Sequence, residues 1–133
     1  MKLSQKDAED VAKRLNYRHN GLVLAIAQDL NTSQVLMVAF MNEEAVRKSL
    51  TTGMMHYWSL ERNKLWKKGE QSGNFQHIEE VLVDCDLDAL LFKVQQMGGA
   101  CHHGFFSCFH RKIVGNQFKT IEAQVFDPKK IYK

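Results

Sequence analysis

The sequence has one proline and only three cysteines among its 133 residues. An odd cysteine count argues against a disulfide framework and for free thiols or metal ligands. No apolar core follows the lysines of Met1-Lys2-Leu3-Ser4-Gln5-Lys6-Asp7, so an export signal is not expected. No apolar run approaches the ~20 residues of a membrane-spanning helix. Nor is there a linker, an internal repeat or a low-complexity stretch, which leaves one domain over residues 1–133. Charge of one sign is also scarce, with 18 basic residues against 15 acidic and a net charge of +3. That excess is too small to argue for nucleic acid, yet suits a small anionic substrate. These absences together point to a cytoplasmic protein with neither a membrane nor a nucleic-acid partner.

What is present is an ordinary globular composition, 44% hydrophobic and 25% charged. A chain of this length buries roughly two-thirds of its unfolded surface and needs no covalent staples. Ala8, Val11, Ala12 and Leu15 fall on one helical stripe behind Ser4, so a helix is expected over residues 4–16. Leu22–Gln28 and Val35–Phe40 are apolar runs joined by turn formers, the pattern of an antiparallel hairpin. A second helix is expected from Asn42, a capping residue, through acidic Glu43 and Glu44 to Gly53. Strands are expected over 54–59, 64–68, 75–85, 90–96, 109–114 and 118–126, with a loop at 100–108. The expected fold is therefore mainly antiparallel β, of the α+β class, with two helices.

Three clusters carry chemistry. The first is Asp84-Cys85-Asp86-Leu87-Asp88. In an extended chain the three carboxylates share one side and Cys85 takes the other. Such carboxylates repel unless a cation sits among them, and oxygen donors suit a hard ion such as magnesium. A straight strand spreads Asp84 and Asp88 over ~13 Å, so one ion requires the backbone to curl. The plain alternative is a solvated acidic turn.

The second cluster is Cys101-His102-His103-Gly104-Phe105-Phe106-Ser107-Cys108. Three cysteines in the chain match the three protein ligands of a zinc site that keeps a position for water. The spacing is not that of a zinc finger, and buried reduced thiols are the alternative. The third cluster interleaves Trp58 and Trp66 with Arg62, Lys64, Lys67 and Lys68, followed by Gly69, Ser72 and Gly73. Aromatic faces stack bases, cations hold phosphates, and exposed backbone amides near glycines bind anions. Composition alone favours the alternative, a solvated basic hairpin with core tryptophans.

Together these clusters resemble the phosphoribosyl-AMP cyclohydrolase family of histidine biosynthesis. The resemblance rests on Gly21-Leu22-Val23, Ala27-Gln28-Asp29, Val35 through Asn42, and His56-Tyr57-Trp58-Ser59. It continues in Leu65 through Glu70, Ser72-Gly73-Asn74, Asp84 through Leu90, Gly98 through His102, and Ser107-Cys108-Phe109. It spans about Gly21 to Arg111. It implies an intertwined homodimer whose zinc is held by Cys85 of one chain and Cys101 and Cys108 of the other. It implies magnesium on Asp84, Asp86 and Asp88. It also implies hydrolysis of the N1–C6 bond of the adenine ring of N1-(5-phosphoribosyl)-AMP. Some relatives carry a fused pyrophosphohydrolase domain; this chain is expected to be monofunctional.

Zinc can lower the pKa of a bound water from 15.7 to ~7, which fits attack on an electron-poor C6. His102 is the candidate acid/base. Trp58 or Trp66 is the candidate purine stack, and Arg62, Lys67, Lys68, Ser72 and Gly73 are candidates for the phosphorylated substrate. The family often carries arginine where Phe105 and Phe106 stand, an aromatic residue at His110 and proline at Leu24. Phosphate binding would then fall to Arg111, Arg62 or the lysines. A non-catalytic, zinc-stabilised nucleotide-binding module is the competing reading. A nucleobase deaminase is disfavoured, because the chain lacks the H-x-E and P-C-x-x-C signatures.

Overall fold

The computed structural model describes residues 1–132. The first helix, α1 (Gln5–Arg14), starts at Ser4, whose hydroxyl accepts the Asp7 N–H at 3.1 Å. It buries Ala8 and Ala12, small side chains that allow close approach to the rest of the core. β1 (Val23–Asp29) and β2 (Val35–Met41) form the expected antiparallel hairpin, with Val23 opposite Met41. α2 (Glu43–Thr52) is capped by the Asn42 side chain, which accepts the Ala45 N–H at 2.8 Å. Gly53 closes it in the left-handed conformation at φ 75°, where a Cβ would be strained.

β3 (His56–Ser59) and β4 (Lys64–Lys67) form a short hairpin. β5 (Gln76–Val83) and β6 (Ala89–Gln96) form a longer one. The six strands make one sheet in the order β4-β3-β2-β1-β6-β5. Its core gathers Val23, Ala25, Leu36, Met41, Val46, Tyr57, Phe92 and Val94, all fully buried.

Three features differ from the sequence reading. β1 pairs with β6 in parallel, Leu24 opposite Ala89, so the sheet is mixed while remaining mainly antiparallel. β7 (Arg111–Val114) and β8 (Gln117–Thr120) form a separate two-stranded sheet, and the expected strand over 118–126 stops at Thr120. Beyond it the backbone turns back to the 101–104 loop, with the Val125 N–H donating to Gly104 at 2.7 Å. Finally, a third helix, α3 (Pro128–Ile131), replaces the expected count of two. Asp127 caps it and Pro128 stands at its first turn, where a missing N–H costs nothing. No described helix is long and apolar enough to cross a membrane.

Candidate active site

The turn between β5 and β6 carries the acidic cluster. Leu87 adopts φ 64°, and Asp84 Oδ1 accepts the N–H groups of Asp88 and Ala89 at 3.1 and 3.2 Å. The backbone therefore curls, and oxygens of Asp84, Asp86 and Asp88 all lie within 4.8 Å of one another. This is a set of hard donors suited to a divalent ion. Two residues unforeseen in the sequence lie beside them. Arg18 reaches Asp86 at 3.1 Å and Asp88 at 3.2 Å, and His19 Nε2 lies 3.2 Å from Asp88. The Asn16 N–H donates to the Leu87 carbonyl at 2.7 Å, which ties the 16–19 segment to the turn. Sharing with Asp86 holds Asp88 below the usual carboxylate range, helped by Arg18 and His19, while Asp86 is pushed up. Cys85 is exposed in this turn.

Cys101 and Cys108 sit elsewhere. They lie beside one another in a loop tied to the edge of β2. The Cys108 N–H donates to Leu36 at 2.7 Å, and the Ser107 hydroxyl donates to Val35 at 2.7 Å. Cys101 and Ala100 donate back across the loop to Phe105 and Phe106. Desolvation first, and the neighbouring Cys101 second, push the Cys108 thiol up to about 12, although part of the residue reaches solvent. β6 separates this pair from Cys85: its eight residues at ~3.3 Å each span roughly 25 Å. One chain thus offers two thiols at one end of β6 and the third at the other.

Beside the thiol pair lies a cavity of about 410 Å³. Of the residues singled out in the sequence, Arg62, Trp66, Lys67, Lys68, Ser72 and His102 line it. Trp58 and Gly73 do not; Trp58 faces Leu65 and Phe40 in the sheet register, and Gly73 closes the turn begun at Gly69. Lys68 is buried, and its ammonium donates to the Ala100 carbonyl and lies 5.6 Å from the Trp66 ring centre. Burial pushes its pKa down, opposed by the Cys108 and Cys101 thiols. Desolvation lowers the pKa of His102, and His103 and Lys68 add to the effect, so a neutral imidazole faces the cavity at pH 7.

The cation-poor stretch of the loop has a structural reason. The Phe105 ring stacks on the His110 ring with centres 3.8 Å apart, and Phe106 packs against the core. Arg111 points to the other hairpin, over Phe118, so Arg62 and the lysines are the cations of the cavity. Tyr132 also lines it and was not legible in the sequence, where no motif reaches the last residues.

Comparison with known proteins gives a consistent picture. Residues 37–110 match the profile of the phosphoribosyl-AMP cyclohydrolase family. The chain is 54% identical to the phosphoribosyl-AMP cyclohydrolase of Methanothermobacter thermautotrophicus, covering 96% of each chain. It is 53% identical to the enzyme of that name from Methanococcoides burtonii, over 89% of this chain and 95% of the relative. A histidine biosynthesis bifunctional protein of Thermoanaerobacter pseudethanolicus is 48% identical over 94% of this chain, which covers 58% of that longer protein.

Proposed function

The chain belongs to the phosphoribosyl-AMP cyclohydrolase family, and from that membership we propose that it opens the adenine ring of N1-(5-phosphoribosyl)-AMP in histidine biosynthesis. In the proposed reaction, water adds at C6, the C6–N1 bond breaks and N1 gains a proton. C6 becomes the carboxamide carbon, and N1 stays on the formimino arm with its phosphoribosyl group. The observation that carries this reading is the convergence of His102, Trp66 and three cations in one cavity beside the Cys101–Cys108 pair.

The chain's own residues have distinct tasks. Arg62, Lys67 and Lys68 neutralise the two phosphate groups, with Ser72 as a further donor. Trp66 offers a flat face to the purine. His102, neutral at working pH, accepts a proton from the attacking water and returns it to N1.

The donor sets fit two metal ions. The soft thiolates of Cys101 and Cys108 suit zinc, with Cys85 as the third ligand. The carboxylates of Asp84, Asp86 and Asp88 suit magnesium. Zinc bound by three protein ligands supplies Lewis acidity and lowers the pKa of a water. The separation along β6 supports a site in which Cys85 is supplied by a second copy of the chain. Exposed apolar side chains at both ends support such a homodimer. Ile113 and Phe118 are 72% and 67% exposed on the hairpin that follows Cys108. Val83 and Leu87, which flank Cys85, are 49% and 39% exposed. A two-stranded hairpin with no face covered is marginal on its own, which favours a partner surface.

The test is an ultraviolet turnover assay on N1-(5-phosphoribosyl)-AMP with chelated protein, reconstituted with zinc, with and without magnesium. Zinc-dependent turnover that magnesium improves supports the reading; a folded, zinc-loaded and inactive protein refutes it in favour of a binding module. A mixing experiment tests the shared site. Cys85→Ser and Cys101→Ser should each be inactive alone. Their co-refolded mixture should recover about a quarter of wild-type sites, because half the dimers then hold one intact site of two. No recovery counts against ligands from both chains.

A further inference from the structure

The segment after β8 lies outside the region that matches the family profile, which ends at residue 110. It adds no strand to either sheet among the described residues. Instead it is laced to the loop that carries the cysteines. The Gln124 side chain donates to the His103 carbonyl at 2.9 Å. The N–H groups of Val125 and Phe126 share the Gly104 carbonyl at 2.7 and 3.3 Å. The approach is so close that a Cβ on Gly104 would lie 2.6 Å from the Phe126 carbonyl oxygen. Asp127 and Pro128 then start a single helical turn, closed by the Tyr132 N–H on the Pro128 carbonyl at 2.8 Å.

This path ends with the Tyr132 ring edge-on to His102, ring centres 6.3 Å apart and planes at 87°. Tyr132 lines the same cavity as Trp66 and Arg62. An aromatic ring in a nucleotide cavity offers a base a second flat apolar surface, and such contacts tolerate any purine. We infer that Tyr132 is a substrate-binding residue, the aromatic wall that the C-terminal segment brings to the purine. The inference rests on the cyclohydrolase reading for its substrate, though not for its binding test.

The experiment uses the zinc-loaded full chain and its Tyr132→Ala and Tyr132→Phe variants. Two quantities are read: AMP binding by calorimetry, and kcat and KM on N1-(5-phosphoribosyl)-AMP. Tyr132→Ala should weaken AMP binding and raise KM by about tenfold, with kcat changed less than about threefold. Tyr132→Phe keeps the ring and should match the wild type. Unchanged KM and AMP affinity in Tyr132→Ala overturn the inference. So does a fall in kcat and melting temperature with KM unchanged, which marks a purely structural tail. If the wild type binds AMP without turnover, the cyclohydrolase reading fails, and AMP affinity alone decides for or against Tyr132. A wild type that neither binds AMP nor turns over N1-(5-phosphoribosyl)-AMP overturns both; with turnover but no AMP binding, KM alone decides for or against Tyr132.

Discussion

The Lys68 ammonium donates to the Ala100 carbonyl, 32 residues further on, and joins the end of β4 to the segment that carries Cys101. This one bond ties the basic hairpin to the thiol loop, so the cations and the thiols keep a constant separation. Both residues are buried, at 7% and 1% exposure. Lys68→Met removes the donor and strands a buried carbonyl. The expected cost is about 1–3 kcal/mol, read as a lower urea midpoint at unchanged slope. Turnover should fall as well, because the cation beside both thiols is gone. A variant as stable as the wild type would show that water replaces the ammonium.

The hairpin of β7 and β8 gives a separate prediction. Ile113 and Phe118 are direct cross-strand partners, so their side chains share one face of it. Because neither is part of the core, Ile113→Asp with Phe118→Asp should leave the monomer folded. If this face joins the proposed homodimer, light scattering should report half the wild-type mass, and the proposed zinc-dependent activity should disappear with it. A full-size, active double variant would count against this face as the interface of the proposed homodimer.

Arg18 bears on the acidic turn. Its guanidinium touches both Asp86 and Asp88, where a divalent cation would compete with it. Arg18→Ala should therefore tighten manganese binding, used as a spectroscopic substitute for magnesium, by several-fold in a titration. Weaker binding would mean that Arg18 holds the turn in shape rather than competing for it.

His56 sets an acid limit on stability. It is buried at 8% exposure, and its Nδ1 lies 2.9 Å from the Met54 carbonyl. Desolvation lowers its pKa below the ordinary 6.5, and the Met54 contact offsets only part of that. The unfolded chain therefore takes up a proton at a higher pH than the folded chain does. Stability from this group is complete above pH ~6.5 and is lost as the pH falls through the folded-state value. The melting temperature should drop between pH 7 and pH 5, and His56→Gln should flatten that drop. Equal slopes in the two proteins would assign the acid sensitivity to other groups.

Much of the molecule is written in short stretches. The Asn42 cap, the acids of the first turn and Gly53 define α2 within a dozen residues, because each acts on backbone groups one turn away. The apolar runs of β1 and β2 and the turn formers between them define that hairpin in the same local way. The Asp84-Cys85-Asp86-Leu87-Asp88 pattern announced a donor cluster, and a local curl at Leu87 brings its oxygens together. Family membership, too, was legible, since it rests on motifs in order along the chain.

The rest depended on how distant segments meet. The parallel pairing of β1 with β6 follows from sheet order, which no local pattern encodes. That pairing carries the 16–19 segment to the acidic turn and so brings Arg18 and His19 to it. It also runs β6 between Cys85 and the Cys101–Cys108 pair, a separation that residue types alone do not reveal. The return of the tail to Gly104, and with it the place of Tyr132, depends on a close backbone approach between residues far apart in sequence. By itself the sequence determined the first two capped helices, the apolar strands of the first hairpin, the donor types and the family, because those are encoded by neighbours within a turn or a strand or by motifs in order along the chain. Only the tertiary structure decided which donors share a site, because proximity across the sheet comes from burying one common core.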